Sequence, residues 1–443
     1  MKRFLLSIVI SAFVAVSFAT DVKGYWKGEV MSLPIVFHVF ENEGGLAATL
    51  DSPAQGAKDI PCESIVVSGD SVKINMPLLN ASFSGVIESD GGSIRGIFTQ
   101  GINVPLVLTR TTAEASVLYR PQEPKPPFVY NRREVEFTHD GITLAGTLTT
   151  PMWGKNFPAV VLISGSGAQN RDEEIMGHKP FAVIADYLTR SGFAVLRYDD
   201  RGVGGSTPGT ADDTTFDFAQ DVCAAVDFLK TCAEIDSSRI GLLGHSEGGT
   251  IAFIVASQRP DDVSFVVSLA GMLVKGKELM KSQNRMFAEL AGQPLTAEME
   301  ETVSAIFEAI DTIDDVDALQ DRLRSLMAGL HKPDEVEASV KQMTSPWYMS
   351  FVRLDPARYI STVKCPVLAL NGEWDVQVEA DMNLRSVKSL LPGCETKSYA
   401  QMNHLFQELQ SKSQSFSYGS ISQTISPTVL NDVASWIVKT VKR

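Results

Sequence analysis

"IGLLGHSEGGTIAF", Ile240 to Phe253, decides how this chain is read. An apolar run enters Gly-His-Ser-Glu-Gly, and a second apolar run leaves it without a break. A strand that turns into a helix through G-x-S-x-G has the form of a nucleophile elbow. Gly244 and Gly248 flank Ser246 because such a bend leaves no room for side chains, and the serine itself is expected in a strained conformation. The bland alternative is a glycine-rich turn; the strand before it and the helix after it favour an attacking hydroxyl.

Outward from the elbow, apolar runs and helices alternate. "FPAVVLISGSG", "FAVLRYDDRG", "RIGLLGHS", "VSFVVSLAG", "CPVLALNGEWD" and "CETKSYAQMNH" read as strands. "FAVIADYLTRSG", "DFAQDVCAAVDFLKTCAE" and "SPTVLNDVASWIVKTV" read as helices. This rhythm means βαβ units and a mostly parallel sheet, entered through the hairpin "REVEFTHDGITLAGTLTTP". From 272 to 358 the rhythm stops. That segment is rich in Met, Ala, Glu and Leu at helical spacing and ends in "SPWYMSFVRL", the pattern of a helical cap inserted into an α/β unit.

Ahead of this unit the chain changes character. From Lys23 to Arg110 short alternating runs are broken by turn signals such as "ENEGG" and "SDGG", which predicts a small antiparallel barrel or sandwich over 20–118. His38 is the histidine of that region, and a lone histidine on an alternating strand is read as packing. "YRPQEPKPPFVY", 119–130, reads as a proline-rich, semi-rigid linker. The α/β unit then runs over 131–443. The first residues, "MKRFLLSIVISAFVAVSFAT", have the charged start, apolar run and small-x-small end of a signal peptide cleaved after Ala19. The mature protein is therefore expected to be periplasmic or secreted, with no transmembrane segment.

Bulk numbers bound the function. The chain has 443 residues, 44% hydrophobic and 21% charged, with a net charge of −14 and a pI near 5.0. An acidic chain without basic patches is not built to bind nucleic acid. No cysteine or histidine spacing suits zinc, so neither a metal nor another cofactor is expected. The five cysteines are an odd number for an exported chain. Cys223 and Cys232 share a helix and stand too far apart to bridge, whereas Cys365 and Cys394 open two strands that would have to be neighbours for a disulfide.

A serine hydroxyl needs a base. Six histidines are present, and of these His331 and His404 follow Ser246. His331 lies in the helical insert; His404 sits in "YAQMNHLF", directly after the last strand, where a loop carries an imidazole to the serine. The acid that orients it is expected past the preceding strand, in "VLALNGEWDVQV". Asp375 stands further into that loop than its competitor Glu373. Backbone donors for an oxyanion are expected at Glu247 and in "GSGAQNRDE", with Ser166 first and Gly167 second. His245 is read as structural, its side chain directed into the sheet, and Asp199-Asp200-Arg201-Gly202 as scaffold.

Together "ISGSGAQNRDE", "GHKPFAVIADYLTRSGFAVLRYDDRGVGGS", "GLLGHSEGG", "LALNGEWDVQV" and "MNHLF" resemble the α/β-hydrolase superfamily in its cap-bearing, serine aminopeptidase S33-like branch. The resemblance extends to bacterial carboxylesterases that carry an N-terminal β domain. It implies a metal-free acyl-enzyme mechanism with Ser246, Asp375 and His404. Here the oxyanion loop reads Ser-Gly-Ser-Gly where the family has His-Gly. The expected substrate is a small ester, with Trp347, Tyr348, Met349 and Phe351 lining its pocket. Two alternatives stand beside this reading: a serine peptidase of S33 or S9 type, and an exported binding protein with an inert hydrolase unit. The β domain is expected to contact glycan, envelope or the catalytic unit.

Overall fold

The structure, a computed structural model, describes residues 22–442 apart from 31–32, 56, 114–119 and 330–331. The leader sequence and His331 lie outside the described residues. The chain forms two compact units that part between residues 118 and 119.

The first unit is one antiparallel sheet. Its strands are β1 (Gly24–Val30), β2 (Leu33–Asn42), β3 (Gly45–Ser52), β4 (Ala57–Pro61), β5 (Ser64–Ser68), β6 (Ser71–Met76), β7 (Ala81–Ile87), β8 (Ser93–Gln100) and β9 (Ile102–Thr111). They order as β4-β3-β2-β1-β9-β8-β7-β6-β5 in a single nine-stranded sheet. The sheet encloses one core around Trp26, Phe37, Phe83 and Leu108. Strand β4, "AKDIP", has no alternating apolar pattern and was not foreseen; its residues are mostly exposed, as an edge strand allows. His38 stacks on Tyr25 with ring centroids 4.3 Å apart, a packing role.

The second unit is an eight-stranded sheet. Its strands are β10 (Tyr130–His139), β11 (Ile142–Pro151), β12 (Phe157–Ile163), β13 (Ala194–Tyr198), β14 (Ile235–His245), β15 (Phe265–Leu269), β16 (Val367–Gly372) and β17 (Glu395–Tyr399). The order is β10-β11-β13-β12-β14-β15-β16-β17. The hairpin β10–β11 joins antiparallel, and the strands from β13 to β17 run parallel. Strands β13 and β15 are buried along their whole length, which is why they read as continuous apolar runs. Helices α1 (Pro180–Arg190) and α11 (Pro427–Val441) cover one face, through Phe181, Ile184, Leu188, Val429, Val433 and Ile437. Helices α2 (Thr215–Thr231), α3 (Glu247–Gln258) and α10 (Ala380–Leu390) cover the other. After β12 the chain moves to one side for β13 and then returns across to β14. Such a reversal opens a crevice at the carboxyl ends of the two strands, where α/β proteins bind ligands.

Between β15 and β16 lie the cap helices α4 (Gly276–Leu290), α5 (Ala297–Thr312), α6 (Val316–Met327), α7 (Pro333–Met343) and α8 (Pro346–Arg353), followed by the short α9 (Ala357–Ile360). Side-chain caps at Thr296, Asp315 and Ser345 start α5, α6 and α8. The cap has its own core around Phe307, Ile310, Leu323 and Val340.

The proline-rich stretch departs from its expectation as a spacer. Arg120 is buried and its guanidinium donates to the carbonyls of Met176, Gly177, Gly419 and Ile421. Gln122 adds bonds to the backbone of Thr424 and Ile425. This segment is fastened to the second unit. Cys365 and Cys394 are both free thiols, although β16 and β17 are neighbours.

Gly241 of β14 faces the Phe265 ring so closely that an added Cβ would lie 2.2 Å from it. Phe265 is fully buried and meets Trp436 edge-on, so it has nowhere to move. Gly241→Ala is expected to destabilise the second unit by about 2 kcal/mol, as overpacking does, measured by urea unfolding.

Candidate active site

Ser246 ends β14 and begins α3 with φ 53° and ψ −122°, a conformation that a residue with a side chain adopts only under compulsion. The compulsion comes from close backbone contacts. A Cβ on Gly244 would lie 2.0 Å from the Gly248 carbonyl oxygen, and one on Gly248 would lie 2.1 Å from that of Ile163. Helix and strands therefore approach to a distance that glycine alone permits. Ser246 occupies the N-cap position, but its side chain caps no amide, so the hydroxyl is not spent on the helix.

His404 stands in the loop after β17 and Asp375 in the loop after β16. The imidazole Nδ1 and Asp375 Oδ2 are 2.7 Å apart, and both side chains are buried. The other carboxylate oxygen accepts from the amides of Gln377 and Val378 at 2.8 and 2.9 Å. The carboxylate is thereby fixed in rotation before the imidazole meets it. Glu373, the competing acid, is exposed and accepts from the Ser398 hydroxyl. Held this way, the histidine presents Nε2 for proton transfer, with Nδ1–H tied to a carboxylate.

Ser246 and His404 line one cavity of about 380 Å³, together with Gly165 and Ser166 from the loop after β12. The Glu247 amide is the first of α3, where amides have no intrahelical partner. Gly167 adopts φ 98° and is not part of the cavity wall, which favours Ser166 over it. Asp200 holds this loop by accepting from the Ser164 hydroxyl and the Gln169 amide. Its burial pushes it up to about 7. Asp199 is bound by the fork of Arg171, and Arg201 by Asp221, so this turn is scaffold for the site.

The cap supplies Leu279, Met280, Trp347, Tyr348 and Phe351 to the cavity wall. Met349 does not reach it; on α8 it turns to the cap core, because the helical spacing that points 347, 348 and 351 one way directs 349 elsewhere. Trp347 also donates its indole N–H to the buried Glu247 carboxyl at 3.1 Å, and Thr215 donates to the same oxygen at 2.5 Å. Burial pushes the Glu247 carboxyl up against those bonds.

His245 corrects another expectation. Its ring does not enter the sheet; it lines the cavity beside Ser246, with Nδ1 2.9 Å from Glu173 Oε1 and Nε2 3.0 Å from the His404 carbonyl oxygen. Glu173 escaped the sequence reading. It lies among other acids in "QNRDEE", and only folding shows that it is buried, with φ 50°.

The chain is similar to several known proteins. The family model described as X-Pro dipeptidyl-peptidase (S15 family) matches residues 140–390. The matched span includes Ser246 and Asp375 and stops before His404. Esterase EstD of Thermotoga maritima is 28% identical over 315 residues, which are 69% of this chain and 68% of that protein. An acyl transferase of Photorhabdus luminescens is 36% identical over 113 residues, 25% of this chain and 33% of the other. A hypothetical protein, PA2218 of Pseudomonas aeruginosa, has a solved structure that aligns with a TM-score of 0.47 at 17% identity, over 72% of this chain and 96% of that one. The chain belongs to the X-Pro dipeptidyl-peptidase (S15) family and is a serine hydrolase of the α/β-hydrolase type. The matching family model is the S15 one, not one of the S33-like branch that the motifs resemble.

Glu247→Ala would leave the Thr215 hydroxyl and the Trp347 indole N–H without their acceptor. A loss of about 1–3 kcal/mol per stranded donor is expected, read by thermal or urea unfolding. Glu247→Gln, which keeps the acceptor, should recover most of it.

Proposed function

From an S15-family hydrolase with this cavity, we propose an exported enzyme that cleaves carboxylic esters of short to medium acyl chain through an acyl-enzyme. The observation that carries the proposal is that Ser246 and His404 share one largely apolar cavity while His404 is bonded to Asp375. Ser246 Oγ attacks the ester carbonyl as His404 Nε2 takes its proton. The developing oxyanion meets the amides of Glu247 and Ser166, and the leaving alcohol receives the proton from His404. Water then gives a proton to His404, attacks the acyl group and frees the acid and Ser246. Asp375 keeps the imidazole in the right tautomer and offsets its charge. The modest cavity and its aromatic cap wall favour a small acyl or alcohol group. Export rests on the leader sequence and is checked by the mature N-terminus, expected after Ala19.

The family description favours a second reading, cleavage of small peptides or aminoacyl amides. That reaction calls for a charged anchor at the peptide terminus. The acid on the cavity wall, Glu173, is already engaged by His245 and the Gly165 amide, which weighs toward esters.

A fluorophosphonate probe is expected to label the protein at Ser246, and Ser246→Ala to abolish both labelling and turnover. Asp375→Asn should reduce kcat by about 10⁴-fold, as loss of the orienting carboxylate does in serine proteases. Short-chain p-nitrophenyl esters should be cleaved and aminoacyl-p-nitroanilides spared. Cleavage of the anilides alone would transfer the assignment to the peptidase, and absence of labelling would leave a binding protein.

A further inference from the structure

Beside the His404–Asp375 pair the fold builds a second histidine–carboxylate pair, Glu173 and His245, with no evident place in acyl transfer. Both side chains are almost wholly buried. The two imidazole rings lie with centroids 4.6 Å apart. The atoms around His245 constrain its protonation. Nδ1 faces Glu173 Oε1 at 2.9 Å and Nε2 faces the His404 carbonyl oxygen at 3.0 Å. Glu173 Oε1 also accepts the Gly165 amide at 2.8 Å, so that oxygen is an acceptor. A carbonyl oxygen has no proton to give. A neutral imidazole has one N–H and one lone pair; either tautomer would set that lone pair against an oxygen.

We propose that His245 is held as a doubly protonated imidazolium by Glu173, and that this pair positions the loops bearing His404 and Gly165 relative to Ser246. One end of the ring holds the His404 backbone. The other holds the carboxylate that in turn holds Gly165, whose Cα lies so near the serine that an added Cβ would be 3.0 Å from Ser246 Cβ. Base and oxyanion loop are thus linked through one proton-bearing ring at the end of the elbow's own strand. His245 and Glu173 are positioning residues. The inference rests on the proposed roles of Ser246 and His404.

The groups that act on His245 are Glu173 from the loop after β12, and His404 and Asp375 from the loops after β17 and β16. Burial opposes its charge, but the Glu173 carboxylate, the His404 carbonyl and the Asp375 charge outweigh burial and raise its pKa. A raised value means that the proton persists as pH climbs past the ordinary imidazole range near 6.5 and departs only as pH passes the raised value. The linkage it supports fails on the alkaline side.

Two measurements test this. Selective ¹⁵N-histidine NMR of the Ser246→Ala protein, which turns over nothing, should show both ring nitrogens of His245 protonated at pH 7.5, assigned by their loss in His245→Gln. A neutral single tautomer there overturns the proposal whatever the enzyme's activity. The second measurement is the kcat–pH profile of Glu173→Gln, with folding checked by circular dichroism. The Gln amide oxygen can still accept from Gly165 and His245, but it carries no negative charge to hold the imidazolium. The expected result is a kcat about 10–100-fold lower, KM within about threefold, and an alkaline limb moved to lower pH. A profile that superimposes on the wild type after scaling also overturns the proposal. Missing fluorophosphonate labelling at Ser246 would instead remove the functional reading and leave the NMR result standing.

Discussion

The contact on which the site depends is backbone against backbone, where α3 leaves β14. The Gly248 Cα sits against the carbonyl of Ile163, and Gly244 against that of Gly248. These approaches force Ser246 into positive φ and lift its hydroxyl clear of the helix it would otherwise cap. The strand order does the rest. Because β12 and β14 are neighbours whose connections depart in different directions, the loop after β12 arrives beside the elbow and places Gly165 and Ser166 on the cavity wall.

Around this point the protein crowds buried polar groups to a degree that a hydrophobic core does not tolerate unless each finds a partner. Asp375 is met by two amides and an imidazole, Glu173 by an amide and an imidazole, and Glu247 by a hydroxyl and an indole. Each of these acids connects parts of the chain distant in sequence. Glu247 binds the cap, through Trp347, to the first turn of the helix that follows Ser246. The cap and the elbow are therefore mechanically related, although the cap has a core of its own.

Much of the arrangement was legible in the residues. Strands buried on both faces declare themselves as apolar runs, and the two glycines of the elbow report a close approach that must occur. His404 and Asp375 could be found because each lies just past a strand end, which places it at one rim of a parallel sheet. What escaped has a common cause. Glu173 sits in a run of acids whose members look alike until burial separates them, and the direction of the His245 ring depends on a loop more than 150 residues away. Met349 was read as a member of an aromatic stretch, when helical periodicity assigns it to another side. Strand β4 has no pattern because an edge strand in a curled sheet needs none.

The tether at Arg120 bears on what counts as the beginning of the hydrolase unit. The proline stretch looks dispensable, yet its arginine supplies hydrogen bonds to two separate loops, one near Met176 and one next to Tyr418, and both residues border the cavity that holds Ser246 and His404. A recombinant hydrolase trimmed at residue 131 would strand four carbonyls and slacken that border, whereas one trimmed just ahead of Arg120 would keep its clasp. By its hydrogen bonding, the second unit thus begins some ten residues upstream of its first strand.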